Sequence, residues 1–326
     1  MSAEKVPFTI RYPQVATPKQ DKRRRSSIGP ASASPEPSPF ASDLAIAYKV
    51  RPLESWEALK KYRHFVVGSE TFGLNDFVFV NNSGIAHGTD LSTLVEQRRF
   101  WIANVQEIRA RDNSHVYLRV LWAYWPDELP GGAEDYHGKL ELVPSNHMEI
   151  IDAMSVAGKA DVLHWTEDDE VDELEGLYWR QTYSFVTQKL SPLRKHCTCR
   201  HFYNPDKKLL GCSNPKCQIW LHEECLVEDA LANTYDRIYN AIPNGKPNMK
   251  PKGKRETENG ASGGIAQRPW VGLFEAQIKH DRDDPIVVIT DLRNPQVVAH
   301  NKPGSKNNST TWEETVVCLK CREKIS

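Results

Sequence analysis

The first 196 of the 326 residues contain no cysteine, and all seven cysteines lie between 197 and 321. A disulfide framework would not be confined in this way; the odd count points to metal ligation or plain thiols. No apolar run approaches the roughly 18 residues of a membrane span, and the best of them, Ile286 to Ile289, reads as a short strand. The N-terminus lacks an apolar signal core, so secretion is not expected. Charge of one sign is missing too. The 42 Lys and Arg nearly cancel the 43 Asp and Glu, which argues against a protein built to coat nucleic acid by charge. What is present is a 39% hydrophobic content, enough for real cores. A mean hydropathy of −0.58 indicates that part of the chain never packs.

Composition divides the chain. Residues 1–48 read as a disordered tail rich in Ser, Pro, Ala and charge, with a basic cluster Lys22-Arg23-Arg24-Arg25 before Ser26-Ser27. That cluster reads either as a nuclear-import address or as a solvated charge patch. Residues 49–70 read as a helical lead-in, because Trp56, Leu59 and Tyr62 recur at i, i+3 and i+6 over 54–64. From 71 to 190 the pattern changes to short strands: Phe77–Val80, Arg99 to about Ala110, and His115–Tyr124, with turn signals at Asp112-Asn113-Ser114 and Gly131-Gly132. Such punctuation predicts a small β-barrel and a mainly β chain. The acidic run Glu167–Glu175 reads as a solvated loop or as a lure for a basic peptide. A cysteine-bearing region spans 194–324, interrupted by an insertion at about 243–311. The insertion carries a hairpin of Trp270–Ile278 and Pro285–Leu292, and a helix is expected from Val227 to about Ala241.

Eight ligand candidates use every cysteine and one histidine: Cys197, Cys199, Cys212, Cys217, His222, Cys225, Cys318 and Cys321. Four close pairs of soft ligands suit two closed, tetrahedral, structural zinc ions. The order, four cysteines, a histidine, then three cysteines, resembles a PHD finger. So does the core Cys212-x4-Cys217-Gln218-Ile219-Trp220-Leu221-His222-x2-Cys225. The resemblance implies a cross-brace, with Cys197, Cys199, His222 and Cys225 on one zinc and Cys212, Cys217, Cys318 and Cys321 on the other. The first pair is Cys-x-Cys and the span from Cys225 to Cys318 is long, both departures from the usual pattern. Trp220 matches the tryptophan that forms a cage wall in histone-binding PHD fingers. Tyr203 or Phe202 is a candidate second wall; core packing is the other reading of Trp220.

Alternation along the third strand puts Val116, Leu118, Val120, Trp122 and Tyr124 on one face. A four-residue hairpin loop at 111–114 sets residue 110 against 115 and Trp101 against Tyr124, so Trp101, Trp122 and Tyr124 converge at the open end. The convergence reads as plain core or as a cage for a quaternary ammonium ion. Residues 71–190 resemble a bromo-adjacent homology (BAH) domain. The matching pieces are Asn75–Val80, Trp101–Val105, Val120–Glu128, His137–Leu142 and Ser145-Asn146-His147. BAH followed by PHD resembles the plant and fungal BAH–PHD chromatin readers. That resemblance implies a cage formed by Trp101, Trp122 and Tyr124 for histone H3 trimethylated at lysine 27. It also implies peptide contacts from Asn146 and His147, a nuclear location, and repressive chromatin complexes as partners. No nucleophile–base pair, phosphate-binding glycine loop or open metal site is legible, so a non-enzymatic reader is expected. The alternatives are a zinc-dependent ubiquitin ligase adaptor and an interaction scaffold without methyl-lysine recognition.

Overall fold

The computed structural model describes residues 6–12, 44–81, 91–167, 174–239, 268–280, 284–293 and 311–326. The basic cluster at 22–25, most of the acidic run and most of the 243–311 segment lie outside the described residues. The chain divides into two units, Met1–Leu193 and Arg194–Ser326.

The strands of the first unit are β1 (Thr9–Arg11), β2 (Lys49–Arg51), β3 (Lys60–Tyr62), β4 (His64–Val67), β5 (Glu70–Gly73), β6 (Phe77–Val80), β7 (Trp101–Asp112), β8 (His115–Tyr124), β9 (Glu141–Asp152), β10 (Val156–Ala160), β11 (Val162–His164), β12 (Leu177–Trp179), β13 (Tyr183–Ser184) and β14 (Lys189–Leu190). The main sheet runs β10-β6-β7-β8-β9-β12-β11, with β3 added to β7 and β13 to β9. Its pairs are antiparallel up to β9, then parallel. The two ends of this ladder do not pair among the described residues. Side chains from a separate hairpin pack on the sheet. The β4–β5 hairpin contributes Phe65 and Phe72, stacked at 5.0 Å, to a core of Val78, Val80, Val105, Leu118, Val120 and Trp122.

Strand β6 shows why the sheet is covered on both faces. All four of its residues are buried. Val78 and Val80 enter that core, while Phe77 and Phe79 enter a second cluster with Ile102, Trp125 and Trp179. A continuous apolar run is the signature of a strand packed on both sides. The exit of β12 is pinned by a buried ion pair. Arg180 Nε donates to Glu141 Oε1 at 3.0 Å, and its Nη atoms donate to Glu167 and to the Tyr136 carbonyl.

Three expectations are corrected. The lead-in is helical only over Leu53–Glu57; Lys60–Tyr62 is a strand on the edge of β7, and Tyr62 is exposed. The open edge of β7 offers unpaired backbone groups, and pairing with them outweighs a periodicity carried by three residues. Arg109 ends the helix, its Nη1 donating to the carbonyls of Trp56, Glu57 and Leu59. Within 1–48, residues 6–12 are ordered. Strand β1 pairs with β2, and Phe8 is buried against Trp56 and Tyr117. Finally, the β7–β8 turn is Asn113-Ser114, with Asp112 opposite His115 and Ala110 opposite Val116. Register shifts between Val105 and Glu107 and between Ala110 and Asp112 each absorb one residue of β7, which returns Ile102 opposite Ala123.

In the second unit, β15 (Lys195–His196) pairs with β16 (His201–Phe202), and β17 (Leu209–Gly211) with β18 (Trp220–His222). A helix, Glu223–Tyr239, follows, starting four residues before the expected Val227. Then β19 (Phe274–Lys279), β20 (Ile286–Asp291) and β21 (Thr311–Thr315) form one antiparallel sheet. The hairpin expected to decorate an insertion is therefore part of the core. Phe274, Ile278, Val287 and Ile289 pack in one cluster with Leu221, Leu226, Cys197, Cys212 and Cys318. Strand β21 falls where a polar stretch was expected to end. Thr311, Trp312 and Thr315 have strand propensity, but charges between them hide it.

Candidate functional site

The open end of the β7–β8 hairpin is shaped by a bulge in β9. Leu121 lies opposite Met148 and Ala123 opposite Pro144, so Ser145, Asn146 and His147 face Trp122 alone. Ser145 holds the excess chain. Its Oγ donates to the Trp122 carbonyl at 2.7 Å and accepts the His147 N–H at 3.1 Å. Asn146 is buried, with its Oδ1 accepting the Phe185 N–H at 2.7 Å, so it braces the bulge. His147 is thrown outward. Its ring stacks on Phe185 at 4.1 Å, and Nδ1 is 2.5 Å from the Tyr124 hydroxyl.

The bulge opens a recess of about 260 Å³ lined by Trp101, Trp122, Ala123, Tyr124, Glu128, His147 and Glu149. The Trp101 and Trp122 rings meet at 5.7 Å and 79°, making two perpendicular walls. Trp122 is only 8% exposed and belongs to the core as well as the recess, whereas Trp101 is 48% exposed. The readings of core and cage are thus shared between the two indoles. Tyr124 forms a third side. Burial, helped by the nearby Glu128 charge, pushes its hydroxyl up to about 12, so it stays protonated.

Two carboxylates border the aromatics. Glu149 Oε2 accepts the Trp122 Nε1–H at 3.0 Å; Glu128 Oε2 accepts the Trp125 N–H at 2.9 Å. Burial raises the Glu128 pKa and lowers that of His147. Neither carboxylate nor Phe185 was singled out from sequence. Glu128 sits in the Trp125-Pro126-Asp127-Glu128 stretch, and Glu149 pairs across from Val120, diagonal to Trp122. Strand β9 also carries Ser145, Asn146, His147 and Asp152, so Glu149 bears no distinguishing mark in the sequence.

His137, by contrast, is a buried structural residue whose Nδ1 accepts the Glu134 N–H. In the second unit, Trp220 is half exposed and lies across Gly211, so it is not a core residue. The Tyr203 hydroxyl donates to the Lys207 carbonyl.

The eight zinc-ligand candidates gather into two groups, Cys197/Cys199/His222/Cys225 and Cys212/Cys217/Cys318/Cys321, each with its donor atoms within 4.8 Å of one another. This is the grouping the cross-brace implies. No cysteine is in a disulfide. The Cys212–Cys321 and Cys217–Cys318 sulfurs are 3.5 and 3.8 Å apart. A tetrahedron with Zn–S bonds of about 2.3 Å has edges of about 3.8 Å, so the spacing suits a metal. His222 Nδ1 faces the sulfurs of Cys199 and Cys225 at 3.3 and 3.9 Å. Both sets fit a four-coordinate structural ion that would tie β15, β18 and the helix together at one site, and the β17–β18 loop to the C-terminal turn at the other.

Residues 70–211 match the BAH domain model, so the chain carries a BAH domain. Among known proteins, two from Arabidopsis thaliana are similar: chromatin remodeling protein EBS, 30% identical over 130 residues, and chromatin remodeling protein SHL, 30% identical over 131 residues. Each similarity covers 39% of this chain and just over half of the relative, 55% and 57%. The yeast Rsc2 BAH domain crystal structure overlaps 41% of this chain and 54% of that one, at 12% identity and a TM-score of 0.30, a value too low to bear on the fold.

Proposed function

We propose that this protein is a non-enzymatic chromatin reader whose recess takes a trimethylated lysine of histone H3, lysine 27 in the first instance, in the service of transcriptional repression in the nucleus. The observation that carries the reading is the recess itself: two perpendicular indoles and a phenol, bordered by two carboxylates. A trimethylammonium ion keeps its charge but cannot donate hydrogen bonds, so π-faces and nearby anions recognise it where water does not compete. The relatives named for chromatin remodeling support the setting. The second unit serves as a PHD-type module held by two zinc ions, with half-exposed Trp220 as its candidate contact for a histone tail or a partner.

Titration of the full chain with H3 peptides, unmodified or trimethylated at lysine 27, tests the reading. Trimethylation should strengthen binding. Trp101→Ala removes an exposed wall without disturbing the core and should weaken the trimethylated complex by about 2 kcal/mol, roughly 30-fold. Equal affinity for the two peptides, or no effect of Trp101→Ala, would overturn it.

A further inference from the structure

An aromatic cage needs no hydrogen-bond acceptor for a trimethylammonium ion, yet this recess has two fixed ones. Glu149 is anchored through one oxygen by the Trp122 indole N–H at 3.0 Å, and its other oxygen makes no hydrogen bond among the described residues. Glu128 is anchored in the same manner by the Trp125 backbone N–H at 2.9 Å. Among the described residues each anchor leaves one carboxylate oxygen without a hydrogen bond, and both glutamates are solvent-exposed at the border of the recess. A dimethylammonium ion carries one N–H. It can lay its methyl groups against the indoles and donate that proton to a carboxylate, a charge-assisted bond that trimethyllysine cannot make.

From this geometry we infer that the recess accepts dimethyllysine as well as trimethyllysine, with Glu149 as the residue that sets the ratio. The inference rests on the proposed reading of the recess as a methyl-lysine site. Glu149 is favoured over Glu128 because its anchor is itself a cage wall. The same bond that holds the carboxylate also orients the Trp122 ring. Unmodified lysine gains less: its ammonium has three donors to satisfy and is strongly hydrated, while the indole walls offer it no acceptors.

The test is calorimetry of the full chain with H3 peptides carrying unmodified, mono-, di- and trimethylated lysine 27, repeated with Glu149→Gln and Glu128→Gln. Glutamine keeps an oxygen for the indole N–H but loses the charge, so the cage walls stay in place. In the wild type, dimethyl affinity is expected within about threefold of trimethyl, and Glu149→Gln should weaken the dimethyl complex about fivefold more than the trimethyl one. A wild-type preference for trimethyl of about tenfold or more would overturn the inference, as would an equal loss of both complexes in Glu149→Gln. If Glu128→Gln alone shifts the ratio, Glu149 is not the determinant and the assignment fails. Should no methylated peptide exceed the unmodified one, the methyl-lysine reading itself falls. That outcome is distinct from trimethyl binding without dimethyl binding, which sinks only this inference.

Discussion

At the residue scale, the proposed cation site turns on the charge of His147, which lines the recess. Burial holds its pKa below the ordinary value of 6.5, with Glu149 opposing. Its ring stacks on Phe185 and its Nδ1 lies within hydrogen-bond distance of the Tyr124 hydroxyl, which donates to it when the neutral imidazole carries its proton on Nε2. Protonation would place a positive charge beside the bound ammonium and remove that acceptor. Because the folded pKa is depressed, the native state binds fewer protons than the unfolded chain. Stability therefore declines as pH falls below 6.5, whereas cation binding declines only as pH falls through the depressed folded-state pKa, which lies lower. Trimethyl-peptide affinity should be flat at and above the ordinary histidine pKa of 6.5 and drop only at more acidic pH, as the depressed imidazole takes up its proton. His147→Gln should keep affinity flat until the Glu128 carboxylate begins to titrate. A wild-type profile unchanged from neutral to mildly acidic pH would contradict this role.

At the element scale, the N-terminal strand is part of the domain rather than its leader. Phe8 is buried edge-on against Trp56 and Tyr117, each at 5.1 Å. The Tyr12 hydroxyl bonds both the carbonyl and the N–H of Met148, next to the bulge, while its ring lies 5.9 Å from that of Phe185. Phe8→Ala should cost about 3–5 kcal/mol, read as a lower midpoint in urea unfolding followed by tryptophan fluorescence. An unchanged midpoint would mean the strand does not contribute. This segment also marks where sequence reading stops. Strands β6 and β8 were legible to the residue because four-residue apolar runs and strict alternation leave little freedom. Strand β1 was not, because three residues among prolines and charges resemble tail until their distant partners are known. The open-end register came out right through compensation. A four-residue loop was expected, and a two-residue turn plus two bulges reaches the same alignment beyond Val105. Bulges leave no mark on a single strand's pattern, since they are settled by what lies across the ladder. The three aromatics could thus be placed together, but the Ser145–His147 bulge that opens the space beside them could not.

For the whole molecule, the division at Leu193/Arg194 separates two kinds of stability. The first unit is held by apolar clusters on both faces of its sheet and contains no cysteine. The second places Cys197, Cys212 and Cys318 inside its one large cluster, with Cys217, Cys225 and Cys321 packed at the margin. Without a metal, buried thiols at 3.5–3.8 Å contribute little, and the sheet β19–β21 packs on a framework with nothing holding its corners. Bound structural zinc adds on the order of 10–16 kcal/mol of apparent binding free energy, comparable to the whole net stability of a domain at about 5–15 kcal/mol. Elemental analysis of the intact protein should find two zinc ions per chain, one for each donor set. Exhaustive chelation should collapse the amide dispersion of residues 194–326 while leaving signals of the first unit in place. Affinity for the methylated peptide, which the proposed function assigns to the first unit, should survive. Retained dispersion in the second unit after complete metal removal would show that its apolar cluster suffices. Loss of peptide binding on chelation would show instead that the second unit takes part in holding the tail.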